Sequence, residues 1–171
     1  MIRRCVDGEI PAIINEAAQI YRGAIPEDCW HEPYISQTEV TTEIAAGVSF
    51  WGCGESGHLL GVMGLQRVRD VTLIHHAYVH PAHQGRGVGS ALMAALRSQA
   101  ERRLLVGTWA AAHWAIRFYE RHGFRLVSPE EKDRLLRAYW RVPARQRDTS
   151  VVLVHAAIGE GAELRPDSNE P

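Results

Sequence analysis

A glycine-rich stretch near the middle of the chain contains the residues best suited to bind a charged ligand. It reads Gln84-Gly85-Arg86-Gly87-Val88-Gly89-Ser90 and lies between an apolar segment that ends at Pro81 and a long amphipathic segment. Its three glycines let the backbone approach a ligand closely, and the first N–H groups of a helix have no acceptor within the helix. The stretch therefore predicts a turn and a helix N-terminus that bind a phosphate or pyrophosphate.

Two common phosphate-binding loops do not fit this stretch. The dinucleotide fingerprint Gly-x-Gly-x-x-Gly requires glycine where Ser90 stands, and the acidic residue expected about 20 positions further on is absent. A P-loop requires a lysine after its last glycine, whereas Lys132 is the only lysine of the chain. The pattern that remains is Gln-x-x-Gly-x-Gly, formed by Gln84, Gly87 and Gly89.

This pattern resembles the acetyl-CoA pyrophosphate loop of the GNAT superfamily of N-acetyltransferases. Residues 115–124 are similar to the helix Ala-x-x-x-Tyr-x-x-x-Gly-Phe of that family, and a strand-like segment, Leu104–Thr108, separates the two motifs as it does in the family. The resemblance covers roughly residues 6–127 and implies acetyl-CoA as co-substrate. It assigns to acetyl-CoA binding Val79, Gln84, Gly85, Arg86, Gly87, Val88, Gly89 and Ser90.

The resemblance also implies a mechanism, direct acetyl transfer to a primary amine without a covalent enzyme intermediate. The backbone N–H of Val79 would polarise the thioester carbonyl, and Tyr119 would protonate the leaving sulfur. A parting between the parallel segments 71–80 and 104–108 would admit the pantetheine arm. By spacing alone, Tyr119 is instead a core aromatic residue of an amphipathic helix.

Two adjacent histidines are candidate bases, because imidazole titrates near neutral pH. Alternation along a strand places Leu73, His75, Ala77 and Val79 on one face. Several family enzymes carry Glu or His four residues before the position of Val79, facing the acceptor. We therefore expect His75 to face the acceptor and His76 to lie on the opposite face. The alternative is that both are structural and hydrogen-bonded within the strand.

The family resemblance is incomplete at Ala112, where relatives often have an Asn that contacts the pantetheine arm. Thr108 or Trp109 is expected to supply that contact instead. Trp30 and Tyr34 lie in the loop expected to line the acceptor, either as the wall of an aromatic pocket or as residues that pack the loop over the sheet.

The elements that position these residues follow from the periodicity of the sequence. Apolar spacing predicts the order β-α-α-β-β-β-α-β-α-β-α-β. Hairpins followed by βαβ units predict an α/β fold with a mixed central sheet flanked by helices on both faces. The resemblance to the GNAT superfamily implies that this sheet is mostly antiparallel. The 171 residues fit one domain over 1–158, followed by an acidic tail over 159–171 that we expect to be disordered.

Composition excludes several other classes of protein. The 19 basic and 20 acidic residues give a net charge of −1, which argues against binding to nucleic acid or to a membrane surface. Three widely spaced cysteines predict reduced thiols and a cytoplasmic location, and the histidine spacing predicts no metal site. We expect a small-molecule amine as acceptor. The alternatives are a non-catalytic acyl-CoA-binding module and an acetylator of protein N-termini or aminoacyl groups, and a homodimer is left open.

Overall fold

One seven-stranded sheet organises the computed structural model, which describes residues 1–55 and 57–156. The strands lie in the order β1-β2-β3-β4-β5-β7-β6, and only β4 and β5 pair in parallel. Their bounds are β1 Ile2–Arg4, β2 Val48–Glu55, β3 His58–Val68, β4 Val71–Val79, β5 Arg103–Trp109, β6 Arg125–Leu126 and β7 Ser150–His155. The predicted mixed, mostly antiparallel sheet is confirmed. The predicted tail, 159–171, lies outside the described residues.

Helices cover both faces of this sheet, as the sequence predicts. They are α1 Ile10–Ala17, α2 Gln37–Ala45, α3 Val88–Arg97, α4 His113–Arg121, α5 Pro129–Tyr139 and α6 Ala144–Asp148. Apolar residues of α1, α2 and α5 pack on one face and those of α3 and α4 on the other. The hydrophobic cluster against which a candidate site residue packs therefore shows on which face of the sheet that residue lies.

Two local predictions differ from the structure. Asp7 as a candidate N-cap and the apolar spacing from residue 10 to residue 21 predict one helix that ends at Gly23. The structure has α1 flanked by the 3-10 turns Asp7–Glu9 and Ala18–Tyr21 instead. The short helix α6 is not expected after Pro143. It is a little more than one turn long, and Arg145 Nε bonds Asp28 Oδ2 at 2.9 Å to hold it against the loop that follows α1. An isolated turn of this length is not stable by propensity alone.

The parallel strands β4 and β5 part halfway along their length. Their pairing covers 71–74 against 103–106 and stops there. A bulge in β4 begins at the same point: the pairing with β3 shifts between Tyr78 and His75, and His76 has φ +46°. A bulge bends its strand and strengthens the local twist. The second half of β4 thus turns away from β5 and leaves an opening in the sheet.

No helix among residues 1–55 and 57–156 is long and apolar enough to span a membrane.

Candidate active site

Two cavities meet at the opening between β4 and β5. The larger, of about 660 Å³, lies on the side of α2 and the end of α5, and the smaller, of about 540 Å³, lies between β4, α3 and α4. Tyr21, Ala77, Tyr78 and Tyr119 line both cavities. A ligand in the smaller cavity can thus reach a second ligand in the larger one through the sheet.

The smaller cavity contains the glycine-rich turn predicted to bind an anion. The backbone N–H groups of residues 85–90 have no acceptor within the described chain, and the first bond of the helix is that from Ala91 N to Gly87 O, 2.9 Å long. Gly87 is the N-cap of α3 with φ +83°, and a Cβ added there would meet nothing within 4 Å. A row of free donors that faces open space fits a diphosphate.

Most residues predicted to bind acetyl-CoA line this smaller cavity. They are Val79, Gln84, Gly85, Gly87, Val88, Gly89 and Ser90. Arg86 is exposed and is not among the lining residues. Gly89 has a second role that the sequence does not indicate, because a Cβ there would lie 3.2 Å from the ring of Phe118. Glycine at this position lets α3 and α4 pack closely.

The backbone at Val79 presents its N–H group to the opening. The neighbouring N–H of His80 donates to the carbonyl of Leu60 in β3 at 2.8 Å. Successive N–H groups of a strand point to opposite edges, so the N–H of Val79 points away from β3 and toward the gap. A donor in that position can stabilise negative charge on a carbonyl oxygen.

Tyr119 stands where the two cavities join. Its ring is 5% exposed and packs edge-on against Phe118 and Phe124, with centroid distances of 5.3 and 5.6 Å. Its hydroxyl makes no hydrogen bond within residues 1–55 and 57–156. Every fully buried side-chain polar atom in these residues has a hydrogen-bond partner, so the Tyr119 hydroxyl is not fully buried and reaches the open space of the cavities. Burial raises the pKa of Tyr119 well above its usual range, which keeps the phenol protonated.

His75 lines the larger cavity, where its hydrogen-bond partner is a neutral amide. Its Nε2 lies 2.9 Å from Gln66 Oε1, while Gln66 Nε2 donates to the carbonyl of Ala46 at 2.9 Å. Since the amide oxygen accepts, Nε2 of His75 carries the ring proton. Burial lowers the pKa of His75 to about 4, with a smaller contribution from His76. His75 is therefore an uncharged imidazole at neutral pH.

The expectation that His76 lies on the opposite face is wrong. His76 also lines the larger cavity, and the centroids of the two histidine rings are 6.2 Å apart. The bulge is the reason: Leu73 packs on the α5 side, whereas Ala77 packs on the α3 and α4 side. Simple alternation from Leu73 to Ala77 is broken because the bulge takes up one extra residue. His76 Nε2 contacts Glu43 Oε2 at 2.8 Å.

The two aromatic residues expected to line the acceptor have different positions. Tyr34 lines the larger cavity and packs edge-on against Tyr78 at a centroid distance of 6.1 Å. Trp30 is not a lining residue; it lies behind Tyr34, 5.5 Å away between centroids, where Arg22 covers its ring. Trp30 supports the cavity wall and does not form it.

The position at which relatives often have Asn is buried in this chain. Ala112 is fully buried at the start of α4. Thr108 and Trp109, the predicted substitutes, line the larger cavity beside the opening. Both therefore lie where they can contact a ligand that crosses the sheet.

Several lining residues have no signal in the sequence. Glu43 comes from α2, and Tyr21 and Tyr78 come from segments far apart in the chain. None belongs to a motif, and only the fold brings them together. Among the described residues, no group of three or more His, Cys, Asp or Glu is arranged to hold a metal ion.

The geometry brings together a glycine-rich turn with free N–H groups, the N–H of Val79, a protonated phenol and two imidazoles around one opening. A mixed sheet that parts beside such a turn is the fold shared by acetyltransferases of the GNAT family. The sequence matches the Acetyltransferase (GNAT) family over residues 11–124, and the chain belongs to that family.

Solved structures with the same fold span nearly the whole chain. The PaiA N-acetyltransferase of Thermoplasma acidophilum, in complex with coenzyme A, is 14% identical, with TM-score 0.69 over 91% of this chain and 98% of that one. The ribosomal-protein-S18-alanine N-acetyltransferase of Escherichia coli is 17% identical, with TM-score 0.64 over 97% of this chain and 99% of that one. N-acetylglutamate synthase of Neisseria gonorrhoeae, in complex with coenzyme A and N-acetyl-glutamate, is 22% identical, with TM-score 0.63 over 92% of this chain and 35% of that one. No curated protein matches the sequence.

Proposed function

We propose that the protein transfers the acetyl group of acetyl-CoA directly to a primary amine, with a small molecule as acceptor. The observation that carries the proposal is the junction of the two cavities at Tyr119. The smaller cavity has the donors for a diphosphate, and the larger has imidazoles that can accept a proton. A thioester and an amine entering from opposite sides would meet at the opening.

On the acetyl-CoA side, residues 85–90 bind the diphosphate through their free N–H groups. The N–H of Val79 polarises the thioester carbonyl. The amine nitrogen then attacks the carbonyl carbon, the C–S bond breaks, and Tyr119 donates its proton to the sulfur. The protonated phenol required for this step is the form that burial maintains.

On the amine side, a base must remove the proton of an ammonium ion before attack. His75 and His76 are the imidazoles of the larger cavity. The volume of about 660 Å³ and the walls formed by Tyr34, Tyr78 and Trp140 support a small acceptor with an apolar body. The three free cysteines support a reducing compartment, which we take to be the cytoplasm.

The test is release of free thiol from acetyl-CoA over a panel of primary amines, amino acids and short peptides, beside calorimetry of coenzyme A binding. We expect coenzyme A binding and turnover on at least one small amine. Binding without turnover on any member would instead indicate a non-catalytic acyl-CoA-binding module. Turnover on peptides alone would indicate an acetylator of protein N-termini. Sizing at the assay concentration separates a monomer from a homodimer.

A further inference from the structure

We propose that His76 and Glu43 form the proton-accepting pair of this enzyme, in which His76 is the base and Glu43 is a positioning residue that acts through it. The proposal rests on the proposed N-acetyltransferase function and assigns its amine-side chemistry to one of the two histidines. His75, its neighbour, is then a structural residue.

Among the described residues that line either cavity, Glu43 is the only carboxylate. Its two oxygens lie 3.0 and 2.8 Å from Nε2 of His76. The side chains of His76 and Glu43 are 18% and 32% exposed, so solvent screens the pair only in part. A carboxylate in this position stabilises the imidazolium that forms when His76 accepts a proton.

The contact with Glu43 also determines which nitrogen of His76 can act. A carboxylate only accepts hydrogen bonds, so Nε2 carries the proton and Nδ1 has the free lone pair. Nδ1 makes no hydrogen bond to any residue that the structure describes. His76 thus has the arrangement of a base that is oriented by a carboxylate through its second nitrogen.

His75 lacks such a partner. Its Nε2 contacts the neutral amide of Gln66, which Ala46 holds in place. Among the residues that the structure describes, no carboxylate bonds the His75 ring to offset the charge that it would gain as a base. The two imidazoles of the cavity are therefore not equivalent, and only His76 is arranged to hold a proton.

The backbone at His76 is strained, with φ +46° in the bulge of β4. A non-glycine residue in the left-handed region is strained, and such strain clusters at functional sites. Here the strained conformation turns the imidazole toward α2, which carries Glu43, and stacks it 5.9 Å from Phe50. A regular strand would place this side chain on the opposite face.

Other titratable groups lie near His76. On β4 they are His75 and Tyr78, and the loop before α2 contributes Tyr34 and His31. Glu39 of α2 is a second carboxylate nearby, but it accepts a hydrogen bond from the N–H of Ser36 at 2.7 Å and caps the helix. Glu43 is the carboxylate of this group that bonds His76.

An ammonium substrate gives one proton to Nδ1 of His76 and becomes a neutral amine. The amine nitrogen forms the C–N bond, the C–S bond breaks, and the thiolate takes the proton of Tyr119. The second proton of the nitrogen returns to the Tyr119 phenolate through solvent, and His76 releases its proton to bulk water. The products are the amide, coenzyme A and one proton.

The experiment compares Glu43→Gln and His76→Asn with wild type in kcat and KM over pH, using the best amine of the panel. Asn tolerates positive φ, so the second variant keeps the bulge. We expect kcat to fall about 10- to 100-fold in both variants with KM for acetyl-CoA unchanged. In Glu43→Gln the acid limb of the profile moves to lower pH, because the imidazolium loses its counter-charge. A substrate amine of low pKa, which arrives neutral, restores much of the rate.

A matched control is Glu16→Gln. Glu16 Oε1 contacts His80 Nε2 at 3.0 Å, so this variant removes the carboxylate of a second His–Glu pair that lines neither cavity. We expect the dependence of kcat and KM on pH in this variant to match that of the wild-type enzyme. Wild-type kinetics in Glu43→Gln, or an equal loss in Glu16→Gln, would overturn the pair while leaving the proposed function intact. No turnover by wild type on any amine would overturn both.

Discussion

His75 and His76 are consecutive in β4, yet their rings lie on the same side of the sheet, 6.2 Å apart between centroids. One contacts the amide of Gln66 and the other the carboxylate of Glu43. The bulge that causes this also opens the gap between β4 and β5. This one bulge therefore both opens the sheet and brings the two histidines into the cavity that we propose for the amine.

Burial of His75 predicts a dependence of stability on pH. Its folded pKa is about 4 against an ordinary value of 6.5, so the unfolded chain binds a proton between these values and the folded chain does not. The stabilisation is complete above 6.5 and falls as pH drops toward 4. The free energy of unfolding should therefore decrease as the pH falls from 6.5 to 4. We expect His75→Gln to make this decrease smaller by about 1–3 kcal/mol, measured by urea unfolding at several pH values. His58→Gln, at an exposed position, is the control; an equal effect there would contradict the prediction.

Tyr119→Phe removes only the hydroxyl at the junction of the cavities. We expect kcat to fall about 100-fold, the usual range for a general acid, with little change in KM for acetyl-CoA. The melting temperature should hold, since the ring still packs against Phe118 and Phe124 and the hydroxyl has no protein partner in the described chain. Steady-state kinetics and a melting curve test this. Full kcat in the variant would make Tyr119 a core aromatic residue only.

Gly87→Ala places a methyl group in the space that faces the free N–H groups of the turn. We expect the Kd for coenzyme A to rise at least about tenfold, because the methyl group and the strain at φ +83° both disturb the helix N-terminus. Gly57→Ala is matched, with φ +78° and equally open space but far from the cavity. Calorimetry should show a normal Kd for that control. Equal affinities in the two variants would remove the diphosphate assignment.

Glu9 anchors the N-terminal strand to the rest of the fold. It bonds Arg3 at 2.6 and 2.9 Å and accepts from the N–H of Gly57 at 3.1 Å, and the Arg3 contact lowers the pKa of Glu9 from 4.5 to about 2. Its stabilisation is present above pH 4.5 and is lost as pH falls toward 2. We expect Glu9→Gln to cost about 1–2 kcal/mol at neutral pH and less in acid.

The control for Glu9 is Glu101→Gln, at an exposed pair with Arg67 whose ions are 3.5 Å apart. An exposed pair contributes under about 1 kcal/mol. Chemical unfolding at neutral and acid pH compares the two variants, and an equal cost in both would show that Glu9 is an ordinary surface ion.

The sequence by itself predicted the fold class, the glycine-rich turn and the position of Tyr119. These features depend on contiguous residues: apolar periodicity marks strands and helices, and the glycines of residues 85–89 and the Tyr119 helix each lie within one short segment. It also predicted that the two parallel strands part, through the resemblance to the GNAT family. The structure agrees with each of these.

Only the tertiary structure decided which residues line the cavity that we propose for the amine. Glu43 and His76 are 33 positions apart and belong to no common motif, so their 2.8 Å contact follows only from how α2 packs on the sheet. Alternation predicts opposite faces for His75 and His76 because it assumes an unbroken register with β3. The bulge adds one residue to β4 against its partner, and a shift of one residue reverses the face of a side chain.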